Sequence, residues 1–317
     1  MYRIGIDLGG TNIAVGVVDA QKQIVGRGLR KTNSPRPYEQ VFADIVAAAE
    51  DAIVNAGITL GDVASIGLGT PGSIDKRSGM ITYANNLEFH DVPAVETLRG
   101  HFGKPVFLDN DANAAALGEC CAGAGRDENV DSFVMITLGT GVGSGIIIDG
   151  KILRGINYAA GEMGHMVIIK DGSRCTCGRR GCWESYSSAR ALVQQTRDIM
   201  RANQDSLMWQ LCDDSYDNIS GQTAFRAAER GDEPGKLVVK NYIAFLAAGI
   251  VNIINIFQPA MVCIGGGIGK EGETLLEPLR HAVVRERYSR GADRQTELVT
   301  AVLGNDAGIL GAALLED

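Results

Sequence analysis

A strand, a glycine-containing hairpin turn and a second strand occur twice in this chain, 130 residues apart. The first copy is Asp7-Leu-Gly-Gly-Thr11 with a strand that ends at Asp19, and the second is Thr137-Leu-Gly-Thr-Gly141 with a strand that ends at Asp149. A repeated supersecondary unit indicates a fold built from two similar halves. The 317 residues suffice for about two domains. Because predicted strands are mixed with helices along the chain, we expect an α/β protein.

The composition argues against several other classes of protein. Thirty basic and 38 acidic residues give a net charge of −8, which disfavours nonspecific binding of nucleic acid. The uncharged interval between Lys240 and Lys270 is interrupted by Asn252, Asn255 and Gln258, so we predict a buried helix and a buried strand instead of a membrane span. Seven cysteines without a signal peptide favour the reducing cytoplasm. The 41 glycines indicate turns at which backbone approaches a ligand.

Three glycine turns follow predicted strands: Gly9-Gly10-Thr11, Gly139-Thr140-Gly141 and Gly265-Gly266-Gly267. Backbone N–H groups in such turns can line a concavity for phosphate oxygens, and an adenine could lie against the third. Asp7, at the end of its strand, could hold a hydrated Mg²⁺. Two other nucleotide motifs fail, because no Gly-Lys-Ser/Thr tripeptide is present and a proline interrupts the G-x-G-x-x-G match at Gly67–Gly72. For any one turn, an ordinary hairpin glycine is the alternative.

Three thiols fall within eight residues in Cys175-Thr-Cys177-Gly-Arg-Arg-Gly-Cys182, and His165 lies ten residues upstream. These residues predict a Cys3His set for tetrahedral Zn²⁺, with free buried thiols as the alternative. Four protein ligands leave no open coordination position, so the zinc is expected to be structural and a zinc hydrolase is disfavoured.

Two carboxylates, Glu162 and Glu184, flank the cysteine loop. A metal that fixes the loop would aim both of them, together with His165, at one spot. Carboxylates and imidazole exchange hydrogen bonds with several hydroxyls at once, which suits a sugar, whereas exposed surface acids are the alternative. We expect the loop to position these residues and neither phosphate turn.

Asn110-Asp111-Ala-Asn113 joins a predicted strand to an alanine-rich helix. The plainest interpretation is an Asx helix cap. The positive end of the helix would also stabilise an ionised Asp111. A carboxylate held there could take a proton from a hydroxyl group as a general base.

Together these residues resemble the ROK family (repressors, open reading frames, kinases) of the actin-like ATPase superfamily. The resemblance spans almost the whole chain and rests on the two glycine hairpins, the Asn110–Asn113 segment, Glu162-Met-Gly-His165 and the segment Cys175–Glu184. It implies an α/β fold of two actin-like (ribonuclease H-like) domains with an ATP and sugar cleft between them. The small domain would comprise residues 1–118 and 304–317, and the large domain, with the zinc loop, residues 119–303.

The resemblance also implies the roles of individual residues. Asp111 would be the base for the sugar 6-hydroxyl. The implied sugar-binding residues are Gly72, Asn86, Asn110, Asp111, Glu162, His165 and Glu184. The implied ATP-binding residues are Asp7, Gly9, Gly10, Thr11, Asn12, Gly139, Thr140, Gly141, Gly265, Gly266 and Gly267. The implied zinc ligands are His165, Cys175, Cys177 and Cys182.

The sequence therefore predicts an ATP-dependent hexose kinase that uses Mg²⁺ and carries structural Zn²⁺, with glucose as the expected sugar. N-acetylmannosamine, allose and fructose stay open, because Glu88-Phe89 stands where glucose-type members often carry Gly-Trp. A repressor is disfavoured, since family repressors place a helix-turn-helix before the first glycine turn and Asp7 lies six residues after the start. We expect sugar and ATP as partners, neither nucleic acid nor membrane, and a homodimer or homotetramer.

Overall fold

The structure, a computed structural model, describes residues 1–126 and 130–316; residues 127–129 and 317, which the predicted domain ranges include, lie outside it. The strands are β1 (Tyr2–Leu8), β2 (Asn12–Val18), β3 (Ile24–Lys31), β4 (Val63–Thr70), β5 (Ser73–Asp75), β6 (Met80–Ala84), β7 (Phe89–Val92), β8 (Val106–Asn110), β9 (Phe133–Leu138), β10 (Val142–Ile148), β11 (Lys151–Ile152), β12 (Met261–Gly265) and β13 (Glu297–Thr300). The helices are α1 (Tyr38–Asn55), α2 (Ala94–Phe102), α3 (Asp111–Ala122), α4 (Glu184–Ser187), α5 (Ala189–Ala202), α6 (Leu207–Leu211), α7 (Thr223–Glu229), α8 (Glu233–Phe257), α9 (Gly266–Gly269), α10 (Glu273–Glu286) and α11 (Asp306–Ala313).

Two five-stranded sheets repeat the same strand order. The first is β3-β2-β1-β4-β8 and the second is β11-β10-β9-β12-β13. In the first, β1 pairs antiparallel with β2 and parallel with β4, and β4 pairs parallel with β8. In the second, β12 pairs parallel with β13 in the corresponding place. The repeat found in the sequence is therefore a repeat of topology, with the hairpins β1–β2 and β9–β10 as its equivalent parts. A further three-stranded sheet has the order β5-β6-β7.

The chain divides into two compact units. Unit 1 consists of Met1–Met135, Gly145–Gly161 and Val302–Asp317, and unit 2 consists of Ile136–Ser144 and Glu162–Ala301. Unit 1 contains the first sheet, and unit 2 contains the cysteine loop and the helices α4 to α10.

The first sheet of unit 1 is covered by helices because its strands and helices are apolar on facing sides. Val41, Phe42 and Ile45 follow the helical period in α1 and are almost completely buried, as the spacing in the sequence predicts. Helix α1 packs against β2 and β3, and α11 packs against β1, β4 and α3. These contacts fix the carboxyl ends of β1 and β8, where the predicted catalytic and metal-binding acids lie.

Part of the glycine excess serves packing and not ligand binding. Gly5 and Gly67 are paired neighbours on β1 and β4, and a Cβ at either position would overlap the carbonyl oxygen of Ile309 or Ala312 in α11. Gly311 in turn lies against the backbone of α3. Because these three glycines have no side chains, the backbone of α11 lies directly against the backbones of the sheet and of α3. The expectation that the excess marks ligand turns is wrong for these positions.

The longest apolar helix is a core element of unit 2. In the described part of the chain, α8 alone is long and apolar enough to span a membrane by length and composition. Its residues Tyr242, Leu246 and Ile250 are fully buried, and the helix packs against α5, α7 and α10. The strand β12 that follows is buried throughout. The predicted buried helix and buried strand are confirmed.

Four helices, α2, α4, α6 and α9, were not predicted from the sequence. Helix α2 follows Pro93 and ends at Gly103, which takes a left-handed φ of 61°, so its boundaries do carry ordinary stop signals. Helix α6 lies in the stretch 201–222, where the sequence has little periodic pattern and predicts a surface excursion. Met208 of α6 is fully buried, so this stretch contributes to the core and is not merely a surface excursion.

The apolar residues within Leu298–Leu303 predict a strand over that range, and β13 is shorter than this. It ends at Thr300, whereas the apolar pattern suggested a strand to Leu303. The N–H groups of Val302 and Leu303 donate to the carboxylate of Glu119 instead of to a neighbouring strand. A buried side chain of unit 1 therefore takes the hydrogen bonds that a longer strand would have used.

Candidate active site

The unit 1 part of the predicted site is built where β8 runs directly into α3. Asn110 ends β8 and caps α3: its Oδ1 accepts from the N–H of Ala112 at 2.8 Å and from that of Asn113 at 3.4 Å. Asp111 is the first helical residue, and its Oδ1 also accepts from the Ala112 N–H, at 2.9 Å. The Asx cap predicted from the sequence is thus supplied by Asn110, and Asp111 is not needed for it.

Asp111 and Asp7 form a pair of interacting carboxylates. Burial, and then the negative charge of Asp111, raise the pKa of Asp7 to about 6. Burial also raises the pKa of Asp111 above its ordinary value, against the opposing effect of hydrogen bonds from Ala112 and Asn110. Carboxylates with raised pKa values that repel each other are typical of functional sites, because a stronger base accepts a proton more readily near neutral pH.

A buried ion pair, which the sequence analysis missed, holds the segment between these elements. Asp109 is 1% exposed, and its Oδ2 lies 2.6 Å from Nε of Arg154. Its Oδ1 accepts from the Asn113 side chain and from the Asn110 N–H, both at 2.9 Å. An acid directly before the Asn110–Asn113 segment was the available signal, but nothing in the local pattern pointed to Arg154, 45 residues away.

The first glycine hairpin lies in the same unit. The N–H of Gly9 donates to the carbonyl of Asn12 at 2.9 Å, which closes the turn. The Asn12 side chain accepts from Nζ of Lys31 at 2.8 Å. Gly10 and Thr11 are exposed at its tip. This turn follows the strand that carries Asp7.

Two further predicted sugar-binding residues come close to these elements. The Asn110 side chain donates to the carbonyl of Gly72 at 3.3 Å. A Cβ at Gly10 would lie 3.4 Å from Cβ of Asn86, so Asn86 borders the hairpin turn. Within unit 1 the structure therefore brings together the predicted residues on four separate segments of the chain.

The residues that replace the Gly-Trp pair of glucose-type members have different environments. Glu88 is exposed and takes a left-handed φ of 54°, a conformation that favours glycine. Phe89 is 2% exposed and belongs to the apolar core of unit 1. The aromatic residue at this position is thus a packing residue.

In unit 2, the second and third glycine turns lie next to each other. The N–H of Gly139 donates to the carbonyl of Gly141 at 3.0 Å, which closes the second turn, and Thr140 is exposed at its tip. Gly266 has a φ of 82° and lies against the backbone of Leu138, the last residue before that turn. A Cβ at Gly139 or Gly267 would meet no atom within 4 Å, so both turns border open space.

The predicted zinc ligands converge. One ligand atom from each of His165, Cys175, Cys177 and Cys182 lies within 4.8 Å of the others. Nδ1 of His165 is 3.5 Å from Sγ of Cys175, and the sulfur atoms of Cys177 and Cys182 are 3.7 Å apart. None of the three cysteines is in a disulfide. Three sulfurs and one imidazole nitrogen around one point are the donor set that Zn²⁺ prefers.

The thiols of this cluster do not ionise alike without a metal. Burial raises the pKa of Cys182 to about 12. For Cys175, hydrogen bonds from the Cys177 backbone and from the neighbouring thiols outweigh burial and lower the pKa to about 6. The pKa values of these two thiols thus move in opposite directions.

Glu184 connects the cysteine loop to the second glycine turn. Its Oε2 accepts from the N–H of Val142 at 2.9 Å, and its Oε1 accepts from the Thr176 hydroxyl at 3.4 Å. A Cβ at Gly141 would collide with this carboxylate. The expectation that the loop positions neither phosphate turn is therefore wrong. The close approach at Gly141 was not detectable from the sequence, because Glu184 lies more than 40 residues away.

Glu162 and His165 frame a short 3-10 turn of residues 163–165. Glu162 is exposed, and its side chain has no hydrogen-bond partner among the residues that the structure describes. Because Nδ1 of His165 points to the thiols, Nε2 is left for another partner. Both side chains are thus available to a ligand in unit 2.

With this geometry established, comparison with known proteins decides the family. The sequence profile of the ROK family matches residues 3–317. The chain belongs to the ROK family. The family resemblance expected from the motifs is thereby confirmed over almost the full length.

Several family members are similar over most of their length. A glucokinase of Thermotoga maritima is 37% identical over 312 residues, which is 98% of this chain and 95% of that protein. A ROK family glucokinase from Streptomyces griseus, solved in complex with glucose and AMPPNP, is 35% identical with a TM-score of 0.80 and covers 99% of this chain and 98% of its own. The xylose repressor of Bacillus subtilis is 30% identical over 98% of this chain and 75% of the repressor. The mixed α/β, two-domain actin-like architecture predicted from the sequence is confirmed.

Proposed function

We propose that the protein is an ATP-dependent hexose kinase that phosphorylates the 6-hydroxyl of glucose. The observation that carries this proposal is the position of Asp111: a carboxylate of raised pKa at the start of α3, beside the second carboxylate of Asp7. The full-length similarity to glucokinases supports the choice of glucose, and a glucokinase bound to glucose and AMPPNP supports ATP as the phosphoryl donor.

In this proposal Asp111 accepts the proton of the sugar 6-hydroxyl as that oxygen attacks the γ-phosphorus in line. The bond between O6 and the γ-phosphorus forms while the bond to the β–γ bridging oxygen breaks, and ADP leaves. The Asn110 cap and the Asp109–Arg154 pair hold the Asp111 backbone in place. Positioning of this kind supplies much of the rate in phosphoryl transfer, since little covalent chemistry falls to the protein.

ATP binding is assigned to the three glycine turns. The N–H groups of Gly9, Gly10 and Thr11 in unit 1 and of Gly139, Thr140 and Gly141 in unit 2 would donate to phosphate oxygens. Gly265, Gly266 and Gly267 would provide a flat surface for the adenine. Asp7 would hold Mg²⁺, whose positive charge offsets the burial and repulsion that raise its pKa. When bound, Mg²⁺ neutralises charge that develops on the phosphate oxygens.

Sugar binding is assigned to Gly72, Asn86, Asn110, Glu162, His165 and Glu184. Asn110 and Glu162 offer polar side-chain atoms, and Nε2 of His165 is free of the thiols. Zn²⁺ would be held by His165 Nδ1 and the sulfurs of Cys175, Cys177 and Cys182, where it fixes the imidazole ring and the loop. All four positions are taken by protein, so the zinc is structural in this proposal.

The proposed compartment and partners of the protein follow from its charge and composition. We propose a cytoplasmic enzyme without nucleic-acid or membrane partners, in keeping with a net charge of −8 and with the largely buried helix α8. We also propose assembly into a homodimer or homotetramer.

A panel of sugars in an assay coupled to ADP release tests the function. We expect the highest kcat/KM with glucose and lower values with N-acetylmannosamine, allose and fructose, while an Asp111→Asn preparation controls for contaminating kinases. A kcat/KM for N-acetylmannosamine that equals the value for glucose would overturn the assigned substrate. Binding of sugars by calorimetry without any ADP release would instead favour a sugar-responsive regulator, as the similarity to a xylose repressor suggests.

A further inference from the structure

Unit 2 contains a cavity that is lined by none of the candidate site residues described above. Its volume is about 380 Å³, and it lies between α10 and the edge strand β13. Four of its eight lining residues are apolar: Val283, Val284, Leu298 and Val299. Arg287, directly after α10, also lines it.

Arg287 is a buried cation without a counter-charge. The residue is 9% exposed, and its Nε is buried with no hydrogen-bond acceptor within residues 1–126 and 130–316. No ion pair of Arg287 occurs in that part of the chain either. A guanidinium cannot lose its proton at physiological pH, so it needs an acceptor when it leaves water. The side chain of Arg287 is therefore left without an acceptor among the residues that the structure describes.

Within the described residues, the other arginine on the lining, Arg280, does have a counter-charge, unlike Arg287. Arg280 also lines the cavity, but its Nε and Nη2 donate to the carbonyl of Leu298, at 3.3 and 3.0 Å, and its Nη1 lies 2.5 Å from the carboxylate of Glu273. The charge of Arg280 is therefore compensated. The open cationic group in the cavity is the guanidinium of Arg287.

The edge of β13 adds a polar backbone to the same cavity. The N–H groups of Glu297 and Ala301 donate toward β12, to the carbonyls of Ala260 and Ile264. Leu298 alternates with these residues along the strand and points the other way, as the bond from Arg280 to its carbonyl shows. The N–H of Leu298 therefore points to the outer edge, toward the cavity, and is a second donor for an anion.

We propose that this cavity binds a small organic monocarboxylate, whose carboxylate pairs with Arg287 and whose hydrocarbon part contacts the valine and leucine side chains. One uncompensated guanidinium matches one negative charge, and a planar carboxylate fits its fork of N–H donors. Glu297, exposed on the lining strand, would repel a dianion such as a phosphate ester. The volume is within the range of small-molecule sites. The proposed carboxylate site does not depend on the proposed kinase activity.

Calorimetric titration of the full-length protein with benzoate, in a buffer free of other carboxylates, tests this site. We expect saturable binding of benzoate and none of benzamide, its neutral isostere. Arg287→Met, which keeps a long apolar side chain and removes the charge, should weaken benzoate binding by roughly tenfold or more. Arg285→Met is the matched control, because Arg285 is exposed on the same helix, and it should bind benzoate as the unaltered protein does.

Melting temperatures distinguish the loss of the Arg287 charge from damage to the fold, which would also weaken benzoate binding. Without carboxylate, Arg287→Met should melt no lower than the unaltered protein, since it removes an uncompensated buried charge. Saturating benzoate should raise the melting temperature of the unaltered protein and of Arg285→Met only. A lower melting temperature of Arg287→Met without ligand would show that Arg287 has a partner and overturn the proposal. Equal binding of benzamide, unchanged binding by Arg287→Met, or binding of inorganic phosphate but not benzoate would also overturn it.

Discussion

Three aspartates lie close together in unit 1, and their partners separate their roles. Asp109 is buried against Arg154, so its charge is compensated and its function is to hold the backbone. In residues 1–126 and 130–316, neither Asp7 nor Asp111 has a cationic partner within ion-pair distance. Their pKa values are raised, which leaves them available for a proton or a metal ion. The surroundings of each aspartate thus determine whether its carboxylate is held in an ion pair or is available to a proton or a metal ion.

The role of Asp111 can be separated from helix stability because Asn110 supplies the cap. Asp111→Asn should lower kcat by roughly 10² to 10⁴, the usual contribution of a positioned general base. The free energy of unfolding should not fall, since the variant removes a buried charge and keeps the cap of α3. Asn110→Ala is the structural control and should lose about 1 kcal/mol of stability. Steady-state kinetics and urea unfolding of both variants decide the matter, and near-normal turnover of Asp111→Asn would exclude the base role.

The raised pKa of Asp7 predicts a pH-dependent loss of stability in the metal-free protein. Because the folded-state pKa, about 6, exceeds the unfolded value of 3.8, protonated Asp7 favours the folded state, and this contribution is lost as the pH rises from about 4 through 6. Relative to Asp7→Asn, the unaltered protein should therefore lose at most about 3 kcal/mol between pH 4 and pH 7.5. Urea unfolding of both proteins across this range, with EDTA, measures the difference. Parallel stability curves would contradict the assignment.

At the level of elements, the cysteine loop and the second glycine turn behave as one structure. Glu184 belongs to α4, which follows the loop directly, and accepts from the N–H of Val142, which follows the turn directly. His165 comes to the same cluster from a separate 3-10 turn. A change in the loop should therefore reach both the predicted sugar residues and a predicted phosphate turn.

Loss of one zinc ligand tests this coupling. We expect one zinc per chain in the purified protein and less in Cys177→Ser, with a loop that becomes disordered when the metal is lost. Affinity for glucose should weaken because His165 is released, and affinity for ATP should weaken as well through Glu184 and Val142. Elemental analysis and calorimetry with each ligand measure these changes. Cys121→Ser, a thiol outside the cluster, should leave all three values unchanged, and purified protein without stoichiometric zinc would contradict the site.

At the level of the whole molecule, unit 1 is built from segments that lie far apart in the sequence. A buried carboxylate joins two of these segments through hydrogen bonds. Glu119 of α3 is fully buried. Its two oxygens accept from the N–H groups of Ala124, Val302 and Leu303 at 3.0, 3.2 and 2.8 Å. The last two begin the segment by which the chain returns to unit 1 and enters α11. One side chain therefore joins positions more than 180 residues apart.

Replacement of Glu119 by glutamine should be costly although the shape is conserved. The amide NH₂ would face backbone N–H groups that now donate to a carboxylate oxygen, so at least one buried donor would lose its acceptor. We expect the free energy of unfolding to fall by about 2–3 kcal/mol, measured by urea unfolding. Glu286→Gln, on the exposed surface of α10, should change it by less than about 0.5 kcal/mol. Equal stability of the two variants would show that the Glu119 contacts contribute nothing.

Much of the candidate site was predictable from the sequence because its signals are short. The hairpin turns, the Asn110–Asn113 segment and the thiol spacing each occupy fewer than ten residues, and the structure brings the four predicted zinc ligands together. The apolar periods of α1 and α8 likewise predicted elements that the structure contains. The roles assigned to the site residues remain predictions until the variants above are measured.

By itself, the sequence determined the α/β class, the repeated hairpin, the main helices and strands and the residues of the predicted zinc site, because each depends on the chemistry of neighbouring residues. Only the tertiary structure decided that Arg154 neutralises Asp109, that Glu119 fixes the return of the chain, and that Glu184 meets Val142. It also decided that Gly5 and Gly67 serve the approach of a helix, and that Arg287 has no counter-charge within residues 1–126 and 130–316. Each of these contacts depends on which distant segments the fold places side by side, and no local pattern of residues encodes that placement.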